Sequence, residues 1–123
     1  MKNKSLVILI VEDSLQIVER MIPVLGSIEN VRLVIHAANY AESIKMIGEM
    51  NANVVILDIN LPDKSGIEML KEIKKNHTGL KVIMLTNHAT ENYKRLCSRL
   101  GADYFLDKTI DFEKIPQTIS SLN

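Results

Sequence analysis

The chain has 123 residues, of which 46% are hydrophobic and 24% charged, and its 15 Lys and Arg residues balance 15 Asp and Glu residues. This length suits one globular domain with its own core, and the single cysteine excludes an internal disulfide. The charge balance argues against a nucleic-acid-binding module, which normally carries a basic excess on one face.

The N-terminal sequence MKNKSLVILIVEDS has basic residues before an apolar run, as an export signal would. The run ends after Val11 on Glu12 and Asp13, without a small-residue cleavage site, so we interpret it as a strand. No apolar stretch approaches transmembrane length. We therefore expect a cytoplasmic domain with no membrane association.

Short apolar runs alternate with segments of helical period along the whole chain. The first, third and fourth runs are apolar throughout, as is typical of parallel strands covered on both faces. Arg32 and His36 give the second run a polar face, so we expect it at a sheet edge. The predicted strands are Leu6–Val11, Val31–His36, Val54–Leu57, Val82–Leu85 and Tyr104–Leu106.

Each strand is followed by a segment with helical spacing of apolar residues. Ser14, Asn39 and Ser65 are predicted N-caps, and the latter two form capping boxes with Glu42 and Glu68. The predicted apolar stripes are Leu15, Val18, Ile22 and Leu25; Ala41, Ile44 and Ile47; Ile67, Leu70 and Ile73; Tyr93, Leu96, Cys97 and Leu100; and Phe112, Ile115, Ile119 and Leu122.

A glycine and two prolines bear on the helix boundaries. Gly101 lies where a C-terminal cap glycine belongs. Pro23 and Pro116 fall inside the first and last helical patterns, where we expect a kink or a delayed start. Five strands alternating with five helices indicate an α/β domain with a parallel sheet and right-handed crossovers.

Polar residues follow four of the predicted strands. Glu12 and Asp13 follow the first, Asp58 the third, Thr86 the fourth and Lys108 the fifth. In parallel α/β sheets, ligands bind at the carboxyl ends of the strands. If the first and third strands are neighbours, about 5 Å apart, their carboxylates need a proton or a cation.

These residue types together favour a site for Mg²⁺ and a phosphoryl group. Hard carboxylate oxygens, with no His or Cys nearby in sequence, favour Mg²⁺, and a hydroxyl and an ammonium suit phosphoryl oxygens. Taken singly, each residue has an ordinary explanation: Asp58 as a turn residue, Thr86 as a helix cap, Lys108 as a solvated charge. Only the joint arrangement at one edge favours chemistry.

Four motifs, in this order and spacing, resemble the response-regulator receiver domain: VED at 11–13, LDINLPDKSG at 57–66, MLTNHA at 84–89 and GADYFLDK at 101–108. The resemblance covers essentially the whole chain. It implies a doubly wound, flavodoxin-like sheet of five parallel strands in the order 2-1-3-4-5 with five helices. We expect residues 1–123 to be one receiver domain, with no output domain in the chain.

The resemblance also implies roles for the strand-end residues. Asp58 would accept a phosphoryl group from a histidine kinase or a histidine phosphotransfer protein, while Lys108 and Thr86 contact the phosphoryl oxygens. Asp13, Asp58 and the backbone carbonyl of Asn60 would bind Mg²⁺ directly. Glu12 would contact the ion through a metal-bound water. Apart from this self-phosphorylation and dephosphorylation, we expect no enzymatic activity.

A switch would follow from the same contacts. Thr86 would move toward the phosphate and vacate space that Phe105, three residues before Lys108, can fill. Alternatively, Phe105 is a permanent core residue. The surface of the fourth helix, fifth strand and fifth helix would then be read by a downstream protein that the sequence does not identify.

Two residues depart from the usual family pattern, and His88 lies two residues beyond Thr86. Thr109 stands where proline usually follows the lysine. Either the bond at 108–109 is cis and the loop stores strain, or it is trans and Lys108 approaches differently; we expect the cis form. Asn87 replaces a small residue beside Thr86 and should narrow the approach to the phosphoryl group. His88 either modulates phosphoryl lifetime or is a surface histidine without a role, and we assign no chemistry to His36.

Two other functions fit the same fold less well. A haloacid-dehalogenase-type phosphatase also uses a strand-end aspartate, but it needs an acid two residues later, where this chain has Asn60. A protein-interaction module that has lost phosphorylation is the other alternative. The complete acidic, hydroxyl and lysine set argues against it, although Asn87 and Thr109 keep it open.

Overall fold

The structure is a computed structural model that describes residues 5–87 and 89–122. Within these residues, five parallel strands form one sheet in the order β2-β1-β3-β4-β5. The predicted fold class and strand order are therefore confirmed, and the partly polar second strand does lie at an edge. The strands are β1 (Leu6–Val11), β2 (Val31–Ala37), β3 (Val54–Leu57), β4 (Lys81–Thr86) and β5 (Tyr104–Asp107).

The first four helices connect consecutive strands and the fifth follows the last strand, as the alternating pattern predicted. The last helix has the predicted delayed start, since a 3-10 turn, Phe112–Lys114, precedes it and Pro116 lies in its first turn. The first helix continues through Pro23 to Gly26. The helices are α1 (Leu15–Gly26), α2 (Tyr40–Met50), α3 (Gly66–Asn76), α4 (Glu91–Arg99) and α5 (Ile115–Ser120).

The sheet separates two apolar clusters. Ile8 and Ile10 of β1 pack into one cluster, with side chains of α1 and α5, whereas Leu9 and Val11 pack into the other, with side chains of α2, α3 and α4. Alternate residues of a strand point to opposite faces, so a strand covered on both sides must be apolar at every position. This double covering explains the unbroken apolar run of β1 and holds its carboxyl end rigidly.

The predicted stripe of α1 is wrong in part. Val18, Met21 and Leu25 are buried, whereas the side chains of Leu15 and Ile22 are 63% and 42% exposed. The helix therefore presents a face rotated toward Met21, and Leu15 lies in the first turn, where little of the sheet covers it. Two other members of predicted stripes are exposed, Ala41 and Tyr93.

The helix caps agree with the sequence except at α1. Asn39 and Ser65 cap α2 and α3 through their side-chain oxygens, and Gly101, with φ of 103°, follows the end of α4. Ser14 makes no side-chain cap; its backbone N–H instead donates to Glu12 Oε2 at 3.1 Å. Within the described ranges, no helix is both long and apolar enough to cross a membrane.

The start of α3 packs directly on the backbone that carries Asp58. The Gly66 N–H donates to the carbonyl oxygen of Ile59 at 2.7 Å. A Cβ atom at residue 66 would lie 2.0 Å from the Asp58 carbonyl oxygen, well inside van der Waals contact. Only glycine allows this approach, and the contact ties the position of α3 to that of Asp58.

We predict that Gly66→Ala lowers the free energy of unfolding by about 3 kcal/mol, because backbone on both sides must move apart. Gly48→Ala is the matched control, since Gly48 lies in α2 with nothing within 4 Å of its added Cβ. That change should raise stability by roughly 0.5–1 kcal/mol through helix propensity. Urea denaturation of both variants measures the difference, and equal effects would contradict the close approach.

Candidate functional site

The sheet brings the polar strand ends together at its carboxyl edge. β1 and β3 are hydrogen-bonded neighbours, with Val11 opposite Leu57, so Glu12 and Asp58 follow them side by side. The Asp58 N–H donates to the Val11 carbonyl oxygen at 3.1 Å. Both carboxylates therefore start from backbone that the sheet holds in place.

Three carboxylates form the centre of this site. Glu12, Asp13 and Asp58 each offer an oxygen, and these oxygens lie within 4.8 Å of one another. Glu12 and Asp58 are only 3% and 5% exposed, whereas Asp13 is exposed, so the cluster opens to solvent beside Asp13. Oxygen donors of this kind and spacing fit a small hard cation such as Mg²⁺.

Lys108 supplies the only positive charge that contacts this cluster among the described residues. Its Nζ lies 2.5 Å from Glu12 Oε1 and 3.1 Å from Asp58 Oδ2, and the residue is 8% exposed. Burial by itself favours the neutral amine, but the hydrogen bond to Glu12 and the charges of Asp58 and Glu12 outweigh it, so the pKa of Lys108 is raised. Lys108 is thus an ammonium at neutral pH.

The electrostatics of Glu12 show how crowded the cluster is. Burial raises the pKa of Glu12 above its ordinary value, and the charge of Asp58 adds to this, although hydrogen bonds from Lys108 and from the Ser14 N–H oppose it. One ammonium among three carboxylates leaves an excess of negative charge. The site therefore has electrostatic room for a further cation.

The remaining predicted site residues surround this centre. Thr86 is fully buried at the end of β4, and its carbonyl oxygen accepts the Lys108 N–H at 3.0 Å. Phe105 is partly buried against the cluster that contains α4 side chains. Asn60 and Asn87 are exposed, immediately beyond the buried residues that precede them, and His88 lies outside the described residues.

The expected cis bond between Lys108 and Thr109 is wrong. No peptide bond within the described residues is cis. A cis bond before a residue other than proline costs about 3 kcal/mol, and the trans bond found here avoids that cost. In the trans form the Thr109 N–H, which proline would lack, donates to Asp107 Oδ1 at 2.7 Å.

Two contacts around the site were missed from the sequence. His36 Nε2–H donates to the carbonyl oxygen of Glu12 at 2.9 Å, which links the edge strand β2 to the acidic cluster. Asp63, in the loop after Asp58, accepts the Tyr40 N–H at 2.9 Å and so fastens that loop to the start of α2. The signal for His36 was its place near the end of β2, but only the register beside Ile10 shows the contact.

A doubly wound parallel sheet with an acidic cluster and a buried lysine at its carboxyl edge is the architecture of CheY-like signalling domains. The response regulator receiver domain family matches residues 8–120 of this chain. The chain belongs to that family, whose members act in two-component systems and typically carry Mg²⁺ and an aspartyl phosphate.

Individual relatives agree with this assignment. The chemotaxis protein CheY of Halobacterium salinarum is 30% identical over 70% of this chain and 72% of its own length. A CheY-like receiver domain protein from Methanospirillum hungatei has a TM-score of 0.83 at 30% identity and covers 94% of this chain and 91% of its own. A chain of the CheX-CheY-BeF₃-Mg²⁺ complex from Borrelia burgdorferi has a TM-score of 0.84 at 29% identity, and the match covers 94% of this chain and 87% of that one.

The chain also matches curated transcriptional regulators, which are longer proteins. It spans about half of the length of several of these regulators. The likeness therefore concerns the receiver domain that they share with this chain.

We predict that Lys108→Met lowers the free energy of unfolding by about 3 kcal/mol at pH 7, because it leaves Glu12 and Asp58 buried without their counter-charge. The matched control is Lys81→Met, which removes an exposed ammonium that lies 3.9 Å from Asp103. The control should change stability little, as is usual for surface ion pairs. Chemical denaturation measures both, and a negligible loss in Lys108→Met would show that the pair does not support the fold.

Proposed function

We propose that this domain is a phosphorylation-dependent signalling switch in which Asp58 accepts a phosphoryl group in a Mg²⁺-dependent reaction. The donor would be a histidine kinase or a histidine phosphotransfer protein. The contact between the Lys108 ammonium and Asp58 Oδ2, 3.1 Å long and next to the Glu12 and Asp13 carboxylates, carries the proposal. Asp58, the proposed nucleophile, lies beside a fixed positive charge in a pocket whose carboxylates also suit a cation.

The proposed reaction transfers the phosphoryl group from a donor nitrogen to a carboxylate oxygen. A carboxylate oxygen of Asp58 forms a bond to phosphorus, and the bond from phosphorus to the donor nitrogen breaks, with its electron pair remaining on that nitrogen. Lys108 neutralises charge on the phosphoryl oxygens, and Thr86 donates its hydroxyl to one of them. Hydrolysis of the acyl phosphate by water then restores the Asp58 carboxylate.

Asp13, Asp58 and the backbone carbonyl of Asn60 would hold Mg²⁺ directly, with Glu12 acting through a bound water. The ion supplies charge neutralisation at the phosphoryl oxygens. The donor chemistry of the carboxylate cluster supports this assignment, and the Borrelia burgdorferi relative was solved with BeF₃ and Mg²⁺. Asn87, next to Thr86, would narrow the approach to the phosphoryl group, and His88 would either modulate its lifetime or be a surface histidine without a role.

Receiver domains are signalling domains and not classical enzymes, and we propose that this one catalyses only its own phosphorylation and dephosphorylation. A phosphatase of the haloacid-dehalogenase type is disfavoured because Asn60 cannot give a proton to a leaving group. An interaction module without phosphorylation would not need the acidic, hydroxyl and lysine side chains together at one edge of the sheet. The complete set of residues favours the switch.

The output of the switch would be the surface formed by α4, β5 and α5. Thr86 ends β4 and lies opposite Asp107 of β5, two residues after Phe105. Phe105 also lines two small grooves beside Lys94 of α4, of about 160 and 190 Å³. If Thr86 moves toward the phosphate, Phe105 can turn inward, and these grooves change shape for a downstream protein.

We predict that acetyl phosphate with Mg²⁺ adds one phosphoryl mass to the protein, as read by intact-mass spectrometry. Asp58→Asn should abolish the added mass because an amide is a poor nucleophile, and removal of Mg²⁺ with a chelator should slow the labelling strongly. Glu113→Ala, a change of an exposed acid away from the cluster, is the control and should be labelled as the unmodified chain is. Unchanged labelling in Asp58→Asn would refute the assignment of the acceptor.

We further predict that Thr86→Ala separates labelling from the conformational change. Asp58 should still be labelled, because its nucleophile and Lys108 remain, but the NMR signals of Phe105 and α4 should no longer shift when acetyl phosphate is added. The reason is that the hydroxyl which follows the phosphate is gone. Shifts equal to those of the unmodified chain would show that Thr86 does not transmit the signal.

A further inference from the structure

Two aspartate side chains fasten the loop on either side of Lys108. Asp107 Oδ1 accepts the N–H groups of Thr109 at 2.7 Å and Ile110 at 3.1 Å. Asp111 Oδ2 in turn accepts the Asp107 N–H at 2.9 Å, and the Asp111 N–H donates to the Asp107 carbonyl oxygen at 2.9 Å. We call Asp107 and Asp111 together the aspartate clamp.

We propose that the aspartate clamp positions Lys108 for the reaction at Asp58, and that Asp107 is its principal member. This inference rests on the proposed function, because it concerns the efficiency of phosphoryl transfer to Asp58. Asp107 and Asp111 act through Lys108 and its loop and are positioning residues, with no contact to the reacting atoms required of them.

The loop needs such a fastening because the sheet holds only one side of it. The Lys108 N–H is bonded to the Thr86 carbonyl oxygen, but β5 ends at Asp107, and the next regular structure begins at Phe112. Between them Ile110 is 77% exposed, so no packing of its side chain restrains the turn. Without the carboxylate of Asp107, the Thr109 and Ile110 N–H groups would lose their acceptor, and the turn would be left with its bonds to Asp111 and Thr86.

The clamp also accounts for the departure of this chain from the usual family pattern. Proline after the lysine restricts the backbone through its ring, whereas Thr109 leaves φ free and adds an N–H donor. Asp107 binds that donor, so a hydrogen-bonded turn replaces the restriction that a ring would give. With the trans bond at 108–109, the Thr109 N–H donates to the Asp107 carboxylate, and this hydrogen bond restrains the turn.

Hydrogen-bond donors and an ammonium offset the negative charges of the clamp carboxylates. The Asp107 carboxylate faces two N–H dipoles, and the Asp111 carboxylate binds one N–H and lies 3.0 Å from Lys114 Nζ. The hydrogen bond from the Asp107 N–H, followed by that from Lys114, holds the pKa of Asp111 below its ordinary value. Asp111 therefore stays ionised and bonded at neutral pH.

Labelling with acetyl phosphate and Mg²⁺ tests the clamp when initial rates are compared between variants. Asp107→Ala should slow labelling by about tenfold, because misplacement of a reacting group by less than an ångström is costly. Asp107→Asn should remain within about twofold of the unmodified chain, because a single oxygen, Oδ1, accepts both hydrogen bonds and an amide oxygen can do the same. Glu113→Ala, two residues beyond Asp111, is the matched control and should keep the full rate.

Hydrogen exchange at the Thr109 and Ile110 amides gives an independent reading. Protection should fall in Asp107→Ala and persist in Asp107→Asn, and Asp111→Ala should show a smaller loss of both protection and rate. Equal rates in Asp107→Ala and the unmodified chain would overturn the clamp, as would equal losses in Asp107→Ala and Asp107→Asn. No labelling of the unmodified chain would instead count against the proposed function itself.

Discussion

The contact on which the site depends is the buried ammonium of Lys108 between the carboxylates of Glu12 and Asp58. It joins β5 to β1 and β3 across the carboxyl edge of the sheet. Two buried carboxylates side by side would otherwise repel each other in a medium that screens charge poorly. The same ammonium that offsets these two carboxylates would, in the proposed function, meet the charge of a phosphoryl group, so stability and proposed function share one interaction.

That contact is only as precise as the backbone beneath it. β1 and β3 lie in the middle of the sheet and are covered on both faces by apolar clusters. Gly66 presses α3 against the Asp58 carbonyl, and Asp63 binds the start of α2. Loops that carry chemistry are usually the mobile part of a domain. Here the loop after Asp58 is hydrogen-bonded to two helices, so Asp58, the proposed phosphoryl acceptor, has a rigid support.

The loop that carries Lys108 is held by hydrogen bonds to aspartate side chains, unlike the loop after Asp58, which is held by two helices. Thr109 brings an N–H group, and the aspartate clamp binds it with the neighbouring donors. Toward α4, the same strand carries Phe105, which lines the grooves of the proposed output surface. The loop that holds the lysine is thus continuous with the surface that would change. The short strand β5 therefore connects the charged carboxyl edge of the sheet with the proposed output surface.

Several expectations failed for reasons that lie beyond local sequence. Apolar spacing predicted Leu15 and Ile22 as buried, but the direction of the sheet selected Met21 instead. Ser14 looks like a helix cap, yet its N–H serves Glu12, since that carboxylate is held above it by Lys108. The bond at 108–109 is trans, the ordinary form before a residue other than proline, and the Thr109 amide then donates to the Asp107 side chain. Each outcome depends on a partner that periodicity does not reveal.

The sequence by itself determined the alternation of strands and helices, the edge position of β2, and the set of strand-end residues, because these depend on apolar period and on residue chemistry. The motif order also indicated the family and, through it, the strand order. Only the tertiary structure decided which charges meet. Glu12, Asp58 and Lys108 are far apart along the chain, and their contact at 2.5–3.1 Å exists because the crossovers bring β1, β3 and β5 to one edge. Long-range distance is a property of the fold and not of the local pattern.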